Sequence, residues 1–373
     1  MVSNNSVNIL EVCRVNPLPS SLASATPSSL PLTFFDILWL RFPPVERVFF
    51  YETPPTNATF LNSIVPKLKH SLSLTLQTFL PLGGNIIWPP ESHKPIISYK
   101  EGDAVSLTVA ESNANFYHLS GNNFVEAVEY HPLVPDLATS HEHAPVLALQ
   151  VTMFSNCGFC IGITAHHTVL DGKSLTMFRK LWAHLCKLGG NALSLVPELI
   201  PSFDRMVIKD PAGIEAIYLN QLADARPRLE PPMPDNYFGN CLTGCAAIAE
   251  RNDLLGEKGV AVAVKAISEA IKSLDYGVLK GAENWLSLLL NVKKDNISDG
   301  VPEIAGSPRF ELYNTDFGWG KPVKVELISI DKIGGICVSD SRDGTGGIEI
   351  GLFLKKREME VFASVFAKGL EVL

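Results

Sequence analysis

His166-His167-Thr168-Val169-Leu170-Asp171-Gly172 is the stretch on which the reading of this chain turns. Two apolar runs of strand character, Val146 to Phe154 and Gly158 to Thr164, flank Ser155-Asn156-Cys157 and deliver the chain to it. After it, Leu175 to Leu188 carries helical periodicity and closes on Gly189-Gly190. A histidine followed four residues later by an aspartate, and then a glycine, thus lies where a predicted strand ends and a helix begins. Strand ends and their loops commonly carry catalytic groups. An imidazole, with an ordinary pKa of about 6.5, can accept a proton at neutral pH. Gly172 would permit a tight turn that a side chain obstructs. The spacing alone leaves two readings open: a catalytic base with its orienting carboxylate, or a core histidine beside a helix-capping aspartate. A zinc site is not expected, because all 9 histidines precede residue 185 and no H-E-x-x-H helix is present.

Outward from that stretch, composition sets the bounds. A chain of 373 residues with 46% apolar content exceeds what one core usually serves, so two domains are expected. Charged residues are 19% of the chain, which argues against global disorder. The net charge is −8 and no basic stripe is visible, so a nucleic-acid partner is not expected. Met1 to Ser6 lacks the charged start and apolar run of a secretory signal. Trp285 to Val292 is too short to span a membrane, and Asn291 interrupts it. These features predict a soluble, cytosolic protein with no membrane partner. Seven cysteines, an odd number scattered through a large chain, fit reduced thiols. Cys157-Gly158-Phe159-Cys160 reads as apolar thiols at a hairpin.

Asn8 to Arg14 reads as a strand, and Val65, Leu68, Leu72, Leu76 and Phe79 mark one face of an amphipathic helix. Pro95 to Tyr99 and Ala104 to Ala110 are further strands. Leu195 to Arg228 is rich in proline and charge, as a crossover would be. Beyond it, Val260 to Leu274 reads as a helix with Ala261, Val264, Ile267, Ile271 and Leu274 on one face. Lys324 to Ile330, Gly335 to Ser339 and Ile348 to Phe353 predict strands, with Gly344-Thr345-Gly346-Gly347 as a hairpin turn. Lys356 to Leu370 closes as a helix. Both halves therefore mix strands and helices, which predicts two α/β units. The expected division is 1–195, a crossover at 196–228, and 229–373.

Two more motifs change the balance at His167. Tyr237-Phe238-Gly239-Asn240-Cys241 and Asp316-Phe317-Gly318-Trp319-Gly320 follow the histidine stretch in order. Together with Ile9 to Val15, Leu32-Thr33-Phe34-Phe35-Asp36 and Ser339 to Arg342, they make nearly the whole chain resemble the plant BAHD acyl-CoA-dependent acyltransferases. The resemblance is to the branch that malonylates phenolic and anthocyanin glucosides. It implies an α/β fold of two chloramphenicol-acetyltransferase-like domains with mixed sheets and a channel between them. It implies His167 as general base, direct acyl transfer, acyl-CoA (malonyl-CoA) as co-substrate, and no bound cofactor or metal. The implied partners are a small-molecule phenolic or flavonoid glucoside and the acyl-CoA, bound by a monomer.

The same resemblance makes Asp171 a structural, orienting residue paired with an arginine of Asp224-Ala225-Arg226-Pro227-Arg228-Leu229, either Arg226 or Arg228. It sets Asp316, Phe317, Gly318, Trp319 and Gly320 away from the histidine, shaping the second domain and the coenzyme A channel. A malonyl carboxylate needs a cation. Lys173 and Arg179 are near in sequence, although solvated surface charge is the plainer reading of each. One departure stands out. Family members continue through further strands and helices after Ile217-Tyr218-Leu219-Asn220-Gln221, whereas Leu222-Ala223 here joins directly to Asp224. The second domain is therefore expected to be incomplete. That expectation keeps a rival open: a truncated, non-catalytic homologue that at most binds coenzyme A or a phenolic ligand.

Overall fold

The computed structural model describes residues 6–19, 26–40, 42–89, 94–138, 143–190, 196–206, 222–244, 249–279, 303–332 and 334–371, with single residues 208 and 247. The expected junction after Gln221 and the apolar run Trp285 to Val292 abut or lie outside the described residues.

The strands in the first part of the chain are β1 (Val7–Val15), β2 (Ser29–Pro31), β3 (Val45–Tyr51), β4 (Asn85–Ile87), β5 (Ile96–Ser98) and β6 (Val105–Ser112). Next come β7 (His143–Pro145), β8 (Leu147–Phe154), β9 (Gly158–Ala165), β10 (Leu222–Asp224) and β11 (Leu242–Gly244). Last are β12 (Glu303–Gly306), β13 (Lys324–Leu327), β14 (Gly335–Asp340) and β15 (Ile348–Phe353). The helices that bear on the argument are α1 (Phe34–Ile37), α2 (Val65–Thr78), α3 (Gly172–Lys187), α4 (Gly259–Ser273) and α5 (Lys356–Leu370).

Six strands form the main sheet in the order β1-β6-β8-β9-β3-β13. Every residue of β8 and β9 is buried, because the sheet is covered on both faces. Alternation along β3 shows the two layers: Phe49 and Tyr51 face α2 and α3, while Val48 and Phe50 face Phe116, Tyr130 and Phe154. Leu68, Leu72 and Leu76 of α2 are buried, as are Phe178, Leu181 and Trp182 of α3. The Trp182 indole N–H donates to the Leu68 carbonyl at 3.1 Å, so the two helices are joined by a buried polar contact as well.

The predicted run Lys324 to Ile330 ends as a strand at Leu327 and continues as a 3₁₀ turn over Ile328–Lys332. This strand, β13, pairs antiparallel with β3, with Val325 opposite Phe49. A division of the chain at residue 229 is thus not a division between sheets: the late segment closes the edge of the early sheet.

The second half retains a three-stranded sheet, β12-β14-β15, among the described residues. Its β14–β15 hairpin turns through Gly344 and Gly346, both in the left-handed region that a side chain resists. The helix predicted over Val260 to Leu274 is present as α4, and its apolar face is largely uncovered. Val264, Ile267 and Ile271 are exposed by 61%, 40% and 44%. Only Leu274, just past its end, is buried. On α5 no residue is buried, and Val361, Phe362, Val365 and Phe366 face solvent. No described helix is long and apolar enough to cross a membrane.

Candidate active site

β9 ends at Ala165, and the following loop is pinned on both sides. The His166 N–H donates to the Val146 carbonyl at 3.0 Å, and the Thr168 hydroxyl donates to the Asp36 carbonyl at 2.8 Å. Asp171 then caps α3, its Oδ1 accepting from the Ser174 N–H at 2.9 Å. The capping reading of Asp171 is therefore correct as far as it goes. Gly172 has a reason other than a turn: a Cβ there would lie 2.7 Å from the ring of Phe310.

The hydrogen bonds of Asn240 fix the protonation geometry of His167. The Asn240 Nδ2 group donates to Asp36 Oδ1 at 3.0 Å and to the His167 carbonyl at 2.8 Å. Both partners are acceptors, so the amide orientation is determined and Oδ1 must face the imidazole. Oδ1 lies 3.2 Å from His167 Nδ1. Nδ1 then carries the hydrogen, and Nε2 holds the free lone pair. Burial depresses the imidazole pKa, opposed by a hydrogen bond to its own backbone and by the field of Asp171. A neutral ring with its lone pair on Nε2 is the form a general base requires.

Asp171 does not touch that ring. Its Oδ2 accepts from Arg226 Nη1 at 2.7 Å and from the Cys241 N–H at 3.3 Å. Burial pushes the carboxyl up, but Arg226 and the two N–H donors outweigh it and hold it below the usual range. Of the two arginines considered, Arg226 is the one that reaches Asp171. It is fully buried, and its other nitrogen donates to the carbonyls of Tyr237 and Gly239 at 3.2 and 3.1 Å. Arg228 is instead near Asp275, 3.5 Å away, and donates to the Asp224 carbonyl.

A second buried pair lies on the other side of the histidine. Asp36 Oδ2 accepts from Arg205 at 2.9 Å, and the same guanidinium donates to the Tyr237 hydroxyl at 2.6 Å. Asp36 Oδ1 also accepts the Asn240 N–H at 3.0 Å. The chain Arg205–Asp36–Asn240–His167 was not legible as a unit, although a lone carboxylate inside the apolar run Leu32 to Leu40 flags a buried, partnered charge. Trp39, three residues on, stacks its indole on the imidazole with centroids 3.8 Å apart and planes 13° from parallel.

The Asp316–Gly320 motif is a packed turn elsewhere. Asp316 Oδ1 accepts the N–H groups of Gly318 and Gly320 at 2.7 and 3.0 Å, and Oδ2 accepts from Lys187. Phe317 is buried edge-on against Trp182, with centroids 4.9 Å apart. Trp319 meets Phe159, near the start of β9. β9 runs on from Phe159 to Ala165, about 20 Å of strand rise, before the chain reaches the loop of His167.

Neither nearby cation faces His167. Lys173 is paired with Asp235 at 2.6 Å and Asp224 at 3.4 Å. Arg179 is not the surface charge that its sequence context suggested. It is buried, its guanidinium donates to the Leu312 carbonyl at 3.2 Å and lies over the Phe49 ring, and burial pushes its pKa down to about 10. Cys157 and Cys160 are free thiols, Cys160 buried within β9. No group of three metal-binding side chains is assembled among the described residues.

The Transferase family model matches residues 10–216 and 202–368. The chain is 37% identical to a malonyl-CoA:anthocyanidin 5-O-glucoside-6''-O-malonyltransferase of Arabidopsis thaliana over 99% of both chains. The chain belongs to the BAHD acyl-CoA-dependent acyltransferases. A second relative, phenolic glucoside malonyltransferase 1 of the same plant, is 35% identical over 98% of each chain. A Salvia splendens anthocyanin 5-O-glucoside malonyltransferase is 34% identical, over 96% of this chain and 94% of the other. Among solved structures, vinorine synthase superposes with a TM-score of 0.74 at 18% identity, covering 95% of this chain and 96% of that one. F. sporotrichioides TRI101, complexed with coenzyme A and T-2, superposes with a TM-score of 0.66 at 15% identity, covering 89% and 96%. These show the BAHD fold, and acyl-CoA is the co-substrate of this family. The Arabidopsis alignment runs over 457 positions against 373 residues, so at least 84 of them have no residue of this BAHD chain opposite. The two stretches matched by the family model overlap at 202–216, inside the expected crossover.

Proposed function

We propose that this cytosolic protein transfers malonyl from malonyl-CoA to a sugar hydroxyl of a phenolic or flavonoid glucoside, with His167 as general base. The observation that carries the base assignment is the Asn240 amide, whose orientation leaves the lone pair of His167 on Nε2. The malonyl and glucoside assignments rest on the names of the relatives.

In this reading the acceptor O–H gives its proton to Nε2 as its oxygen attacks the thioester carbonyl. A tetrahedral oxyanion forms and collapses, breaking the C–S bond. The leaving thiolate takes the proton from the imidazolium, so ester and free coenzyme A leave and the histidine is neutral again. Asp171 and Arg226 hold the loop rather than the proton.

A second reading is favoured by the bare apolar faces of α4 and α5 together with the unmatched positions of the relatives. In it the chain is a non-catalytic homologue that at most binds coenzyme A or a phenolic ligand. Release of coenzyme A and product mass, measured with malonyl-CoA and a panel of phenolic glucosides, separate the two. A malonylated product that falls at least about 10²-fold in His167→Ala is the expected result. No product from a soluble, cooperatively melting chain would overturn it in favour of the second reading.

A further inference from the structure

We propose that Trp39 is a positioning residue that stabilises the imidazolium form of His167 through its indole face while the proton is in transit. The proposal rests on His167 acting as the base, and a charge inventory around that ring leads to it. Once Nε2 takes a proton, a positive charge sits in a largely enclosed site. Nδ1 meets the neutral amide of Asn240 rather than a carboxylate. The two nearby carboxylates are already committed: Asp171 to Arg226, and Asp36 to Arg205, at 2.7 and 2.9 Å. Tyr237 and Cys241, bonded to Arg205 and Asp171, and the adjacent His166 are each pushed by burial toward the neutral form. Among the described residues no anion is hydrogen-bonded to the ring.

What does meet it is the Trp39 ring, stacked at 3.8 Å and 13°. An aromatic face carries negative quadrupole density and attracts a cation most strongly when water is excluded. Against the neutral imidazole the same face offers mainly dispersion. The interaction therefore strengthens as the proton arrives, which is the differential binding that lowers a barrier. Hydrogen bonding does not explain the ring's placement, because the buried indole N–H has no acceptor among the described residues. The ring is held instead by the turn that bonds the Trp39 N–H to the Asp36 carbonyl at 3.1 Å, and by the edge contact with Phe42. Asp36 thus sets both partners of the stack, Trp39 directly and His167 through Asn240.

The test uses the full chain as wild type, Trp39→Phe and Trp39→Leu, each checked for a cooperative melt. Two readouts are taken: the imidazole NMR titration of His167, and the pH profile of kcat. In Trp39→Leu the His167 midpoint is expected to fall by about 0.5 to 1 pH unit, with Trp39→Phe between it and wild type. kcat should fall about 3- to 30-fold, with both KM values held within about twofold. A His167 midpoint in Trp39→Leu equal to wild type overturns the proposal, whatever the rate does. A loss confined to the acceptor KM also overturns it, by making Trp39 a wall of the pocket. If Trp39→Leu does not fold, Trp39→Phe decides alone, and an unshifted midpoint there sinks the idea. The NMR titration needs no turnover, so an inactive wild type would defeat the acyltransferase reading without deciding this one.

Discussion

Helices α2 and α3 in the first half and α4 and α5 in the second are written in the same code, apolar residues at helical spacing, and meet different fates. Leu68, Leu72 and Leu76 of α2 pack beneath Trp182 and Leu181 of α3, on a sheet whose central strands are buried throughout. Val264, Ile267 and Ile271 of α4 and Val361, Phe362, Val365 and Phe366 of α5 repeat the pattern and face water. Periodicity determines that a helix forms with one apolar face; burial needs a second surface to receive it. The aligned relatives carry at least 84 positions that this chain does not fill, so the natural candidate for that surface is sequence that is not here. Full burial of one such side chain stabilises by roughly 1.5–3 kcal/mol. The folding free energy of this chain should therefore be concentrated in its first half.

The largest expected effect sharpens that contrast where the first half leans on the crossover. Arg226→Met strands the buried Asp171 carboxylate without its partner, and should cost about 3–5 kcal/mol in urea unfolding. The pH dependence should change sign. In wild type the Asp171 pKa is depressed below its ordinary 3.8, so its contribution is complete above that value and is lost as pH falls through the folded pKa. In Arg226→Met the unpaired, buried carboxyl should be raised, so stability should increase as pH is lowered from 7 toward 5. A variant costing under about 1 kcal/mol with wild-type pH dependence would show the pair contributes nothing. Adding Asp171→Asn should then restore part of the loss, a coupling a double-mutant cycle reads directly.

Leu72→Ala comes next, at about 3 kcal/mol, because the side chain is fully buried between α3 and the sheet and its removal leaves a cavity. A shift in the denaturation midpoint with an unchanged m-value would confirm that the first half unfolds as one unit. A cost below ~1 kcal/mol would mean that its core is as loose as the second half is bare, and the contrast between the halves would be lost.

The contrast also measures what the sequence could disclose. The β8–β9 hairpin, the loop at His167, the capping Asp171 and both pairs of helices could be read locally, because periodicity and capping are local physics. Of Arg226 and Arg228, only tertiary geometry selects the one that reaches Asp171. Asn240 and Asp36 lie 204 residues apart yet share two hydrogen bonds, and no spacing rule encodes such a pair. Arg179 departs from the surface-charge expectation because a lone arginine on a helix is usually solvated, whereas here the Leu312 and Phe310 carbonyls bond its guanidinium. For the same reason the apolar face of α4 could be read from spacing while its exposure could not.

Ile267→Lys carries the smallest expected effect and the most information about the second half. Ile267 lies mid-helix in α4 with 40% of its surface exposed, between Val264 and Ile271, which are more exposed still. Lysine has a helix propensity at least as good as isoleucine and can lay its stem along the apolar stripe with its ammonium in water. The stability change should therefore stay within about 0.5 kcal/mol, the range of ordinary surface substitutions. Solubility should rise, because an exposed apolar stripe invites association and one charge interrupts it. Urea unfolding and light scattering of the same samples report both quantities. A loss of 2 kcal/mol or more would mean that the stripe is covered in solution, by residues of this chain or by a second copy. Repeating the unfolding at two protein concentrations separates those cases, since only a second copy makes the loss depend on concentration.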